Sequence, residues 1–214
     1  MNKISSIHSD RNIEASQKAY QINEWFFSLQ GEGMRAGTAN LFLRFSGCNL
    51  TCNKEDEGFD CDTEFTSGRK LSLDQIVSEL KATATQAEWV ILTGGEPSLQ
   101  IDDALIDRLH GEGYKIAIET NGTKEISPKI DWITVSPKTA EHTIRQKTAN
   151  ELKYVRAYGM GIPKPVVKAD HYLISPAFEA ENLPQRNLEW CIRLVKENPQ
   201  WRLSIQMHKS WKIR

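Results

Sequence analysis

Three clustered cysteines are the residues of this sequence best suited to metal chemistry. Cys48, Cys52 and Cys61 fall within 14 residues, whereas Cys191 is remote. Structural zinc takes four ligands, and no further Cys or His stands near the cluster at a finger-like spacing. An iron–sulfur cluster can be held by three cysteines, which leaves one iron open to another ligand. Spacing alone leaves an iron–sulfur cluster, a zinc site and unliganded structural thiols as alternatives.

The fourth cysteine has a different setting. Within Arg186–Asn198, Leu188, Cys191, Ile192 and Val195 recur at the spacing of one helix face. This pattern predicts a helix with a buried free cysteine rather than a fourth metal ligand. The first 20 residues contain no apolar block, so we expect no export signal and no disulfide framework.

The remaining chemistry-bearing residues follow segments with the composition of buried strands. Six strands are predicted: Leu41–Phe45, Trp89–Leu92, Lys115–Ile118, Trp132–Val135, Tyr172–Ile174 and Arg202–Gln206. Helices are predicted from a capping box at Ser72 to about Thr85, and over Ile101–Leu109, Ala149–Tyr158 and Arg186–Asn198. Strands alternating with helices indicate a parallel α/β sheet or barrel, whose site lies where the strands end. Glycine and proline at such ends are ordinary turn residues, but Glu96, Glu119 and Lys138 are less easily explained as turns.

Composition limits the class of protein. The 214 residues carry 27 Lys and Arg against 28 Asp and Glu, a net charge of -1, so we expect no direct nucleic-acid binding. No apolar run approaches the roughly 20 residues of a membrane helix. We therefore expect a cytoplasmic protein with a polar tail over residues 1–20 and one catalytic domain over residues 21–214.

Taken in order, several short motifs resemble those of the radical S-adenosylmethionine (SAM) enzymes and, within them, of the 7-carboxy-7-deazaguanine synthase family. These motifs are Phe27–Gly33, Arg44–Leu50, Cys61–Thr63, Thr93–Pro97, Glu119–Gly122 and Ser136–Lys138. Each motif is weak alone, but the ordered set is specific. The resemblance implies an α/β fold, namely an open, partial parallel β/α barrel of about six strands in a modified radical SAM core.

The resemblance also implies cofactors and site residues. It places a 4Fe–4S cluster on Cys48, Cys52 and Cys61, with SAM on the open iron, and Mg²⁺ at Thr63. The implied SAM contacts are Gly95, Ser136, Pro137, Lys138, Ser175, Pro176, Ala177 and Phe178. The implied substrate contacts are Leu29, Gln30, Gly31, Arg44, Thr93, Glu119, Asn121 and Arg214. Arg44 is suited to pair with a substrate carboxylate through two parallel hydrogen bonds.

The implied reaction converts 6-carboxy-5,6,7,8-tetrahydropterin to 7-carboxy-7-deazaguanine with loss of ammonia, for queuosine and related 7-deazapurines. The implied partners are a flavodoxin- or ferredoxin-type electron donor and a second copy in a homodimer. Another radical SAM enzyme, such as a glycyl-radical activase, and a zinc-stabilised binding module are the alternatives.

One departure from the superfamily pattern concerns the cysteine spacing. Eight residues, Asn53 to Asp60, separate Cys52 from Cys61, which is longer than the usual gap. A longer loop can still bring three sulfurs together, because closure entropy grows slowly with loop length. Its charged segment Lys54–Glu57 is a hypothetical contact for the reductant.

Overall fold

The structure, a computed structural model, describes residues 18–53, 61 and 63–214. The strands are β1 (Ala19–Leu29), β2 (Ala39–Phe45), β3 (Arg69–Ser72), β4 (Trp89–Gly94), β5 (Lys115–Thr120), β6 (Trp132–Val135), β7 (Thr148–Arg156), β8 (Lys168–Pro176) and β9 (Trp201–Leu203). The helices are α1 (Leu73–Thr83), α2 (Asp103–Gly111), α3 (Gln185–Glu197) and α4 (Met207–Trp211).

The strands described above form one open sheet in the order β3-β1-β2-β4-β5-β6-β7-β8-β9. From β2 to β9 all neighbours are parallel, whereas β1 is antiparallel to both β2 and β3. The predicted open, partial β/α barrel is confirmed. The described sheet has seven parallel strands, because β7 joins the predicted six.

Helices α1 and α2 cover one part of the sheet with apolar side chains. Strand residues such as Leu43, Phe45 and Leu92 pack with Ile76 of α1 and Leu105 of α2, and all five are almost fully buried. Both helices begin at sequence-encoded caps, since Ser72 and Gln75 form a capping box and Asp102 accepts from the Leu105 N–H.

Helix α3 covers the far end of the sheet and carries Cys191 into a second apolar cluster with Leu152, Tyr154, Ile174 and Trp201. Cys191 is free and fully buried. Burial raises the pKa of its thiol to about 12, so it stays protonated at neutral pH. The prediction of a core cysteine on a helix is confirmed.

The prediction of a helix over Ala149–Tyr158 is wrong. Residues 148–156 form strand β7, which pairs in parallel with β6 and with β8. Leu152 and Tyr154 point into the apolar cluster, while Glu151 and Lys153, which alternate with them, are also buried, on the opposite face. Both faces of the strand are buried, so its charged residues lie inside the protein. Apolar and charged residues alternate with a period of two, which is the period of a strand.

The segments that join β5 to β6, β6 to β7 and β7 to β8 are 11 or 12 residues long and irregular. In this stretch, all of which the structure describes, one 3-10 turn at Glu141–Thr143 is present and α-helix is absent. Strand β1 begins at Ala19, inside the range assigned to the polar tail, and residues 1–17 lie outside the described residues. None of the described helices has the length and apolar character needed to cross a bilayer.

Candidate active site

A large cavity opens at the carboxyl ends of the parallel strands. Its volume is about 920 Å³, near the upper end of the usual range for ligand pockets. Each parallel strand, or the segment directly after it, contributes to the lining. Thr93, Glu119, Lys153, Ser175 and Pro176 lie in β4, β5, β7 and β8. The segments that follow the strands add Cys48 after β2, Gly95 after β4, Asn121 after β5, Ser136 and Lys138 after β6, Tyr158 after β7, Ala177 and Phe178 after β8, and Gln206 after β9. The expectation that these polar clusters meet at one edge of the sheet is confirmed.

The clustered cysteines lie along this cavity. Cys48, Cys52 and Cys61 all line it, as does Thr63. Burial raises the pKa of the Cys48 thiol, and the nearby charges of Glu96 and Cys61 act in the same direction. Metal coordination would remove these thiol protons, because the thiolate is the ligand.

The donor set suits an iron–sulfur cluster better than zinc. Among the described residues that line the cavity, the three cysteines are accompanied by no histidine, so the four nitrogen and sulfur ligands of structural zinc are not assembled. The described Cys, His, Asp and Glu side chains form no group of three at metal-binding distances. Residues 54–60 and 62, including the proposed reductant contact at Lys54–Glu57, lie outside the described residues.

Two glycines fix the cysteine loop against strand β4. A Cβ on Gly94, which has φ +129°, would lie 2.2 Å from the Phe45 carbonyl oxygen, and one on Gly95 would lie 2.1 Å from the Gly47 carbonyl oxygen. The Glu96 N–H donates to that Gly47 oxygen at 2.9 Å. Only glycine permits this approach, so Gly94-Gly95 seats the backbone next to Cys48.

Glu96 lines the cavity and connects the ends of β4 and β5. Its carboxylate is 1% exposed and accepts hydrogen bonds from Thr120 Oγ1 at 2.7 Å, the Asn121 N–H at 2.7 Å and the Ser98 N–H at 3.0 Å. The side chain of Asn121 then donates to Asn49 Oδ1 at 3.0 Å, in the cysteine loop. A satisfied buried carboxylate thus holds three site segments together.

The residues predicted to contact SAM converge on the cavity, with one exception. Gly95, Ser136, Lys138 and Ser175–Phe178 line it, whereas Pro137 does not. Lys138 Nζ lies 2.9 Å from Ser136 Oγ. Ser175 and Ala177 are buried, so the end of β8 forms a wall rather than a mobile rim.

The residues predicted to contact substrate divide into two groups. Thr93, Glu119 and Asn121 line the cavity, and Gln30 reaches it by donating to Glu119 Oε1 at 3.0 Å. The others are placed beside it: Leu29 is 37% exposed at the end of β1, Gly31 packs on His208, Arg44 pairs with Glu24, and Arg214 also pairs with Glu24.

Arg44 stands beside Thr93 in the strand register but does not line the cavity. Its Nε donates to Glu24 Oε1 at 3.0 Å. The opposite carboxylate oxygen of Glu24 receives the Arg214 guanidinium, and the Arg214 carbonyl accepts from Ser28 Oγ at 2.6 Å. Glu24 therefore bridges Arg44, which was expected at the substrate carboxylate, and Arg214, which was expected as a further substrate contact.

Two charged residues on the cavity wall, Glu32 and Lys153, were not among the predicted site residues. Lys153 Nζ pairs with Glu32 and lies 3.5 Å from Glu119 Oε2, and Gln206 Nε2 donates to Glu32 Oε1 at 2.9 Å. Burial opposes the charge on Glu32, but Lys153 and the bond from Gln206 outweigh it and hold the pKa of Glu32 at about 2. Burial lowers the pKa of Lys153, but the charges of Glu119 and Glu32 raise it above its ordinary value.

Glycines in the Gln30–Gly33 segment explain how this group is packed. A Cβ on Gly31 would lie 2.1 Å from His208 Nδ1, and one on Gly33 would lie 2.2 Å from Glu151 Oε2. Gly33 also has φ +72°, a backbone conformation that glycine adopts at little cost. The segment therefore sits directly on α4 and β7. The glycines on either side of Glu32 are the sequence feature that could have indicated its place in the site. No sequence feature indicated Lys153.

Three comparisons relate this architecture to known proteins. A family model described as a 4Fe-4S single cluster domain matches residues 29–130. The 7-carboxy-7-deazaguanine synthase of Bacteroides thetaiotaomicron is 43% identical over 195 residues, covering 91% of this chain and 98% of that protein. That of Bradyrhizobium diazoefficiens is 38% identical over 214 residues, covering 92% and 100%. The crystal structure of QueE from Escherichia coli superposes with a TM-score of 0.71 at 25% identity, covering 94% of this chain and all of that one. With the three-cysteine cavity and the ordered motifs, these likenesses show that the chain belongs to the 7-carboxy-7-deazaguanine synthase family of radical SAM enzymes.

Proposed function

We propose that the chain converts 6-carboxy-5,6,7,8-tetrahydropterin to 7-carboxy-7-deazaguanine with loss of ammonia. The observation that carries the proposal is the joint cavity, in which three cysteines face polar side chains from the ends of the parallel strands. When bound, the 4Fe–4S cluster would supply the electron for reductive cleavage of SAM, the chemistry that starts hydrogen abstraction from the substrate. The protein contributes binding, orientation and exclusion of water.

Cys48, Cys52 and Cys61 would hold the cluster, and SAM would lie between them and the end of β8. Gly95 approaches the Gly47-Cys48 backbone, which places its own backbone beside the cluster ligands. Ser136, Pro137 and Lys138 would border the nucleoside on one side, and Ser175, Pro176, Ala177 and Phe178 on the other. Six of these seven residues line the cavity, which supports the assignment.

The pterin would occupy the part of the cavity bounded by β1, β4 and β5. Glu119 and Gln30 offer an acceptor and a donor to the ring, with Thr93 and Asn121 alongside. Arg44, whose side chain lies outside the cavity lining, would turn towards the substrate carboxylate and bind it through its Nη atoms, because Glu24 occupies Nε. Leu29, Gly31 and Arg214 would close this end, where α4 packs on the end of β1.

Mg²⁺ is part of the proposal at Thr63. A hydroxyl, substrate oxygens and water suit a small hard cation that keeps part of its hydration. Thr63 lines the cavity two residues beyond Cys61, so its hydroxyl would be available to an ion bound there.

The electron donor, the homodimer and the cytosolic location complete the proposal. A flavodoxin- or ferredoxin-type protein would dock at the open side of the cysteine loop, where Cys61 is exposed. A cytosolic location suits free thiols, because reducing conditions there disfavour disulfides. Crosslinking with a reduced flavodoxin, analytical ultracentrifugation and cell fractionation test these three assignments.

The activity is tested with anaerobically reconstituted full-length protein. We expect a brown protein that consumes the tetrahydropterin in a SAM- and reductant-dependent reaction and releases ammonia and 7-carboxy-7-deazaguanine, followed by mass spectrometry. SAM cleavage without pterin turnover, but with a radical on a partner protein, would instead support an activase. A colourless protein with stoichiometric zinc would support the binding module and contradict the proposal.

A further inference from the structure

Lys153 is a cation enclosed in the wall of the cavity. Its side chain is 9% exposed, that of Glu32 is 15% exposed and that of Glu119 is 24% exposed. An ammonium group is rarely buried unless it is paired, because leaving water costs several kcal/mol. Lys153 comes from β7, whereas Glu32 follows β1 and Glu119 lies in β5, so one side chain links three separate elements.

The hydrogen bonds of the two carboxylates, Glu32 and Glu119, differ in their partners and lengths. Both oxygens of Glu32 are occupied, one by Gln206 Nε2 at 2.9 Å and the other by Lys153. Glu119 accepts from Gln30 Nε2 at 3.0 Å through Oε1, while its Oε2 has the longer 3.5 Å contact with Lys153. Both carboxylates line the cavity, but the contact of Glu119 with Lys153 is the longer one, so Glu119 keeps more acceptor capacity towards a ligand.

The charge on Glu119 depends on these neighbours. Burial raises the pKa of the Glu119 carboxyl, attraction to Lys153 opposes this, and the charge of Glu32 adds to it. The other charged groups that act on this cluster are Glu151, Arg35 and His208. Removing Lys153 would leave buried carboxylates facing one another, and one of them would take up a proton.

A pterin ring presents N–H groups that need acceptors, and an ionised carboxylate accepts through both oxygens while a protonated one donates through one. We propose that Lys153, fixed by Glu32, is a positioning residue that holds Glu119 as an anionic acceptor for the N–H groups of the pterin. The inference rests on the proposed function and adds to it the pair of residues that sets substrate affinity.

The test uses the reconstituted enzyme and the variant Lys153→Met, which keeps much of the side-chain volume without the charge. We expect the Kd for 6-carboxytetrahydropterin, measured by anaerobic calorimetry with SAM and without reductant, to rise about 10- to 100-fold, the scale of a hydrogen bond to a charged group. KM should rise in proportion, with a smaller change in kcat. The affinity of the variant for the pterin should recover as pH increases, because Glu119 then ionises. The curve of affinity against pH should therefore lie at higher pH for the variant than for the wild type.

The matched control is the double variant Lys153→Met/Glu32→Gln, which removes the second carboxylate charge together with the cation. It should bind the pterin more tightly than Lys153→Met alone, because Glu119 no longer faces an unbalanced anion. Lys153→Arg should retain most of the affinity. Equal losses in the single and double variants, or a loss independent of pH, would overturn the inference.

Iron content and SAM binding are measured for every variant. If both Met variants lost cluster and SAM binding, the pair would have a structural role only and the inference would be wrong. The two proposals fail in different ways. A wild type that does not bind or convert the pterin contradicts the proposed function. Wild-type turnover together with unchanged pterin affinity in Lys153→Met contradicts only the inference.

Discussion

At the scale of single residues, the four cysteines differ in environment although they are chemically identical. Cys48 and Cys52 are half-buried, Cys61 is exposed and Cys191 is enclosed in the core. The first three line the cavity and can meet a metal, whereas the fourth meets only protein. The division of four cysteines into three and one follows from sequence spacing, because clustered thiols in a polar loop and a lone thiol on an apolar helix face leave different patterns.

This division predicts opposite outcomes for two serine substitutions. Cys61→Ser should lose most cluster iron after reconstitution, because a hydroxyl is a poor substitute for a thiolate. Cys191→Ser should keep its iron and lose about 1–2 kcal/mol of stability, because it buries a hydroxyl in an apolar cluster. Iron analysis and urea unfolding measure the two effects. Wild-type iron content in Cys61→Ser would remove that residue from the ligand set.

Thr63 allows a second residue-scale test. Thr63→Ala should abolish the stimulation of turnover by Mg²⁺, and Thr63→Ser should preserve it, because serine retains the hydroxyl ligand. Thr83→Ala, which alters a threonine at the end of α1, is the control and should respond to Mg²⁺ as the wild type does. The assignment fails if Thr63→Ala keeps a normal Mg²⁺ response.

At the scale of elements, helices α1 and α2 were predictable because their caps are local. Strand β7 was not, because its buried Glu151 and Lys153 resemble the polar face of an amphipathic helix. Their burial depends on partners far away in the chain, such as Glu32, which is 121 residues before Lys153. Antiparallel β1 and β3 were also missed, since the half-exposed pattern of β1 has no clear period.

The cap of α1 gives an element-scale prediction. Ser72→Ala should cost about 1 kcal/mol of unfolding free energy, because the Gln75 N–H loses its acceptor. Ser78→Ala, at an exposed position inside the same helix, should change stability by less than about 0.5 kcal/mol. Urea unfolding of both variants provides the comparison, and equal effects would show that the capping box contributes nothing.

At the scale of the whole molecule, the location of the cavity could be predicted from the sequence, but the full set of residues that line it could not. Parallel strands put their carboxyl ends on one edge, so Thr93, Glu119 and Ser136 could be placed together from the sequence. The contacts of Arg44 and Arg214 with Glu24 could not be predicted in this way. They depend on the pairing of the antiparallel strand β1 with β2 and on where the last residues of the chain lie.

Buried charge also makes the stability of the molecule depend on pH. Burial and the charge of Glu119 raise the pKa of Glu151 from 4.5 to about 7. Between these values the folded state holds a proton that the unfolded state has released, so Glu151 should lower stability as pH rises from about 4.5 to 7, by on the order of 1–3 kcal/mol.

Comparison of variants isolates this contribution. Glu151→Gln should flatten that part of the pH profile of the unfolding free energy, because the amide does not titrate. Glu181→Gln, at an exposed position, should keep the wild-type profile. Denaturant unfolding at a series of pH values gives the measurement, and an unchanged slope in Glu151→Gln would contradict the assigned pKa.

The short outer strands have a consequence for how the protein behaves at high concentration. An open sheet leaves unpaired N–H and C=O groups at its borders, where another chain can add a strand and start aggregation. Here the outer strands are β3, with four residues, and β9, with three, and β3 begins with the exposed cations Arg69 and Lys70. Edge strands this short, one of them positively charged, offer few unpaired backbone groups for another chain to bind. The sheet can therefore stay open around the ligand cavity without promoting aggregation.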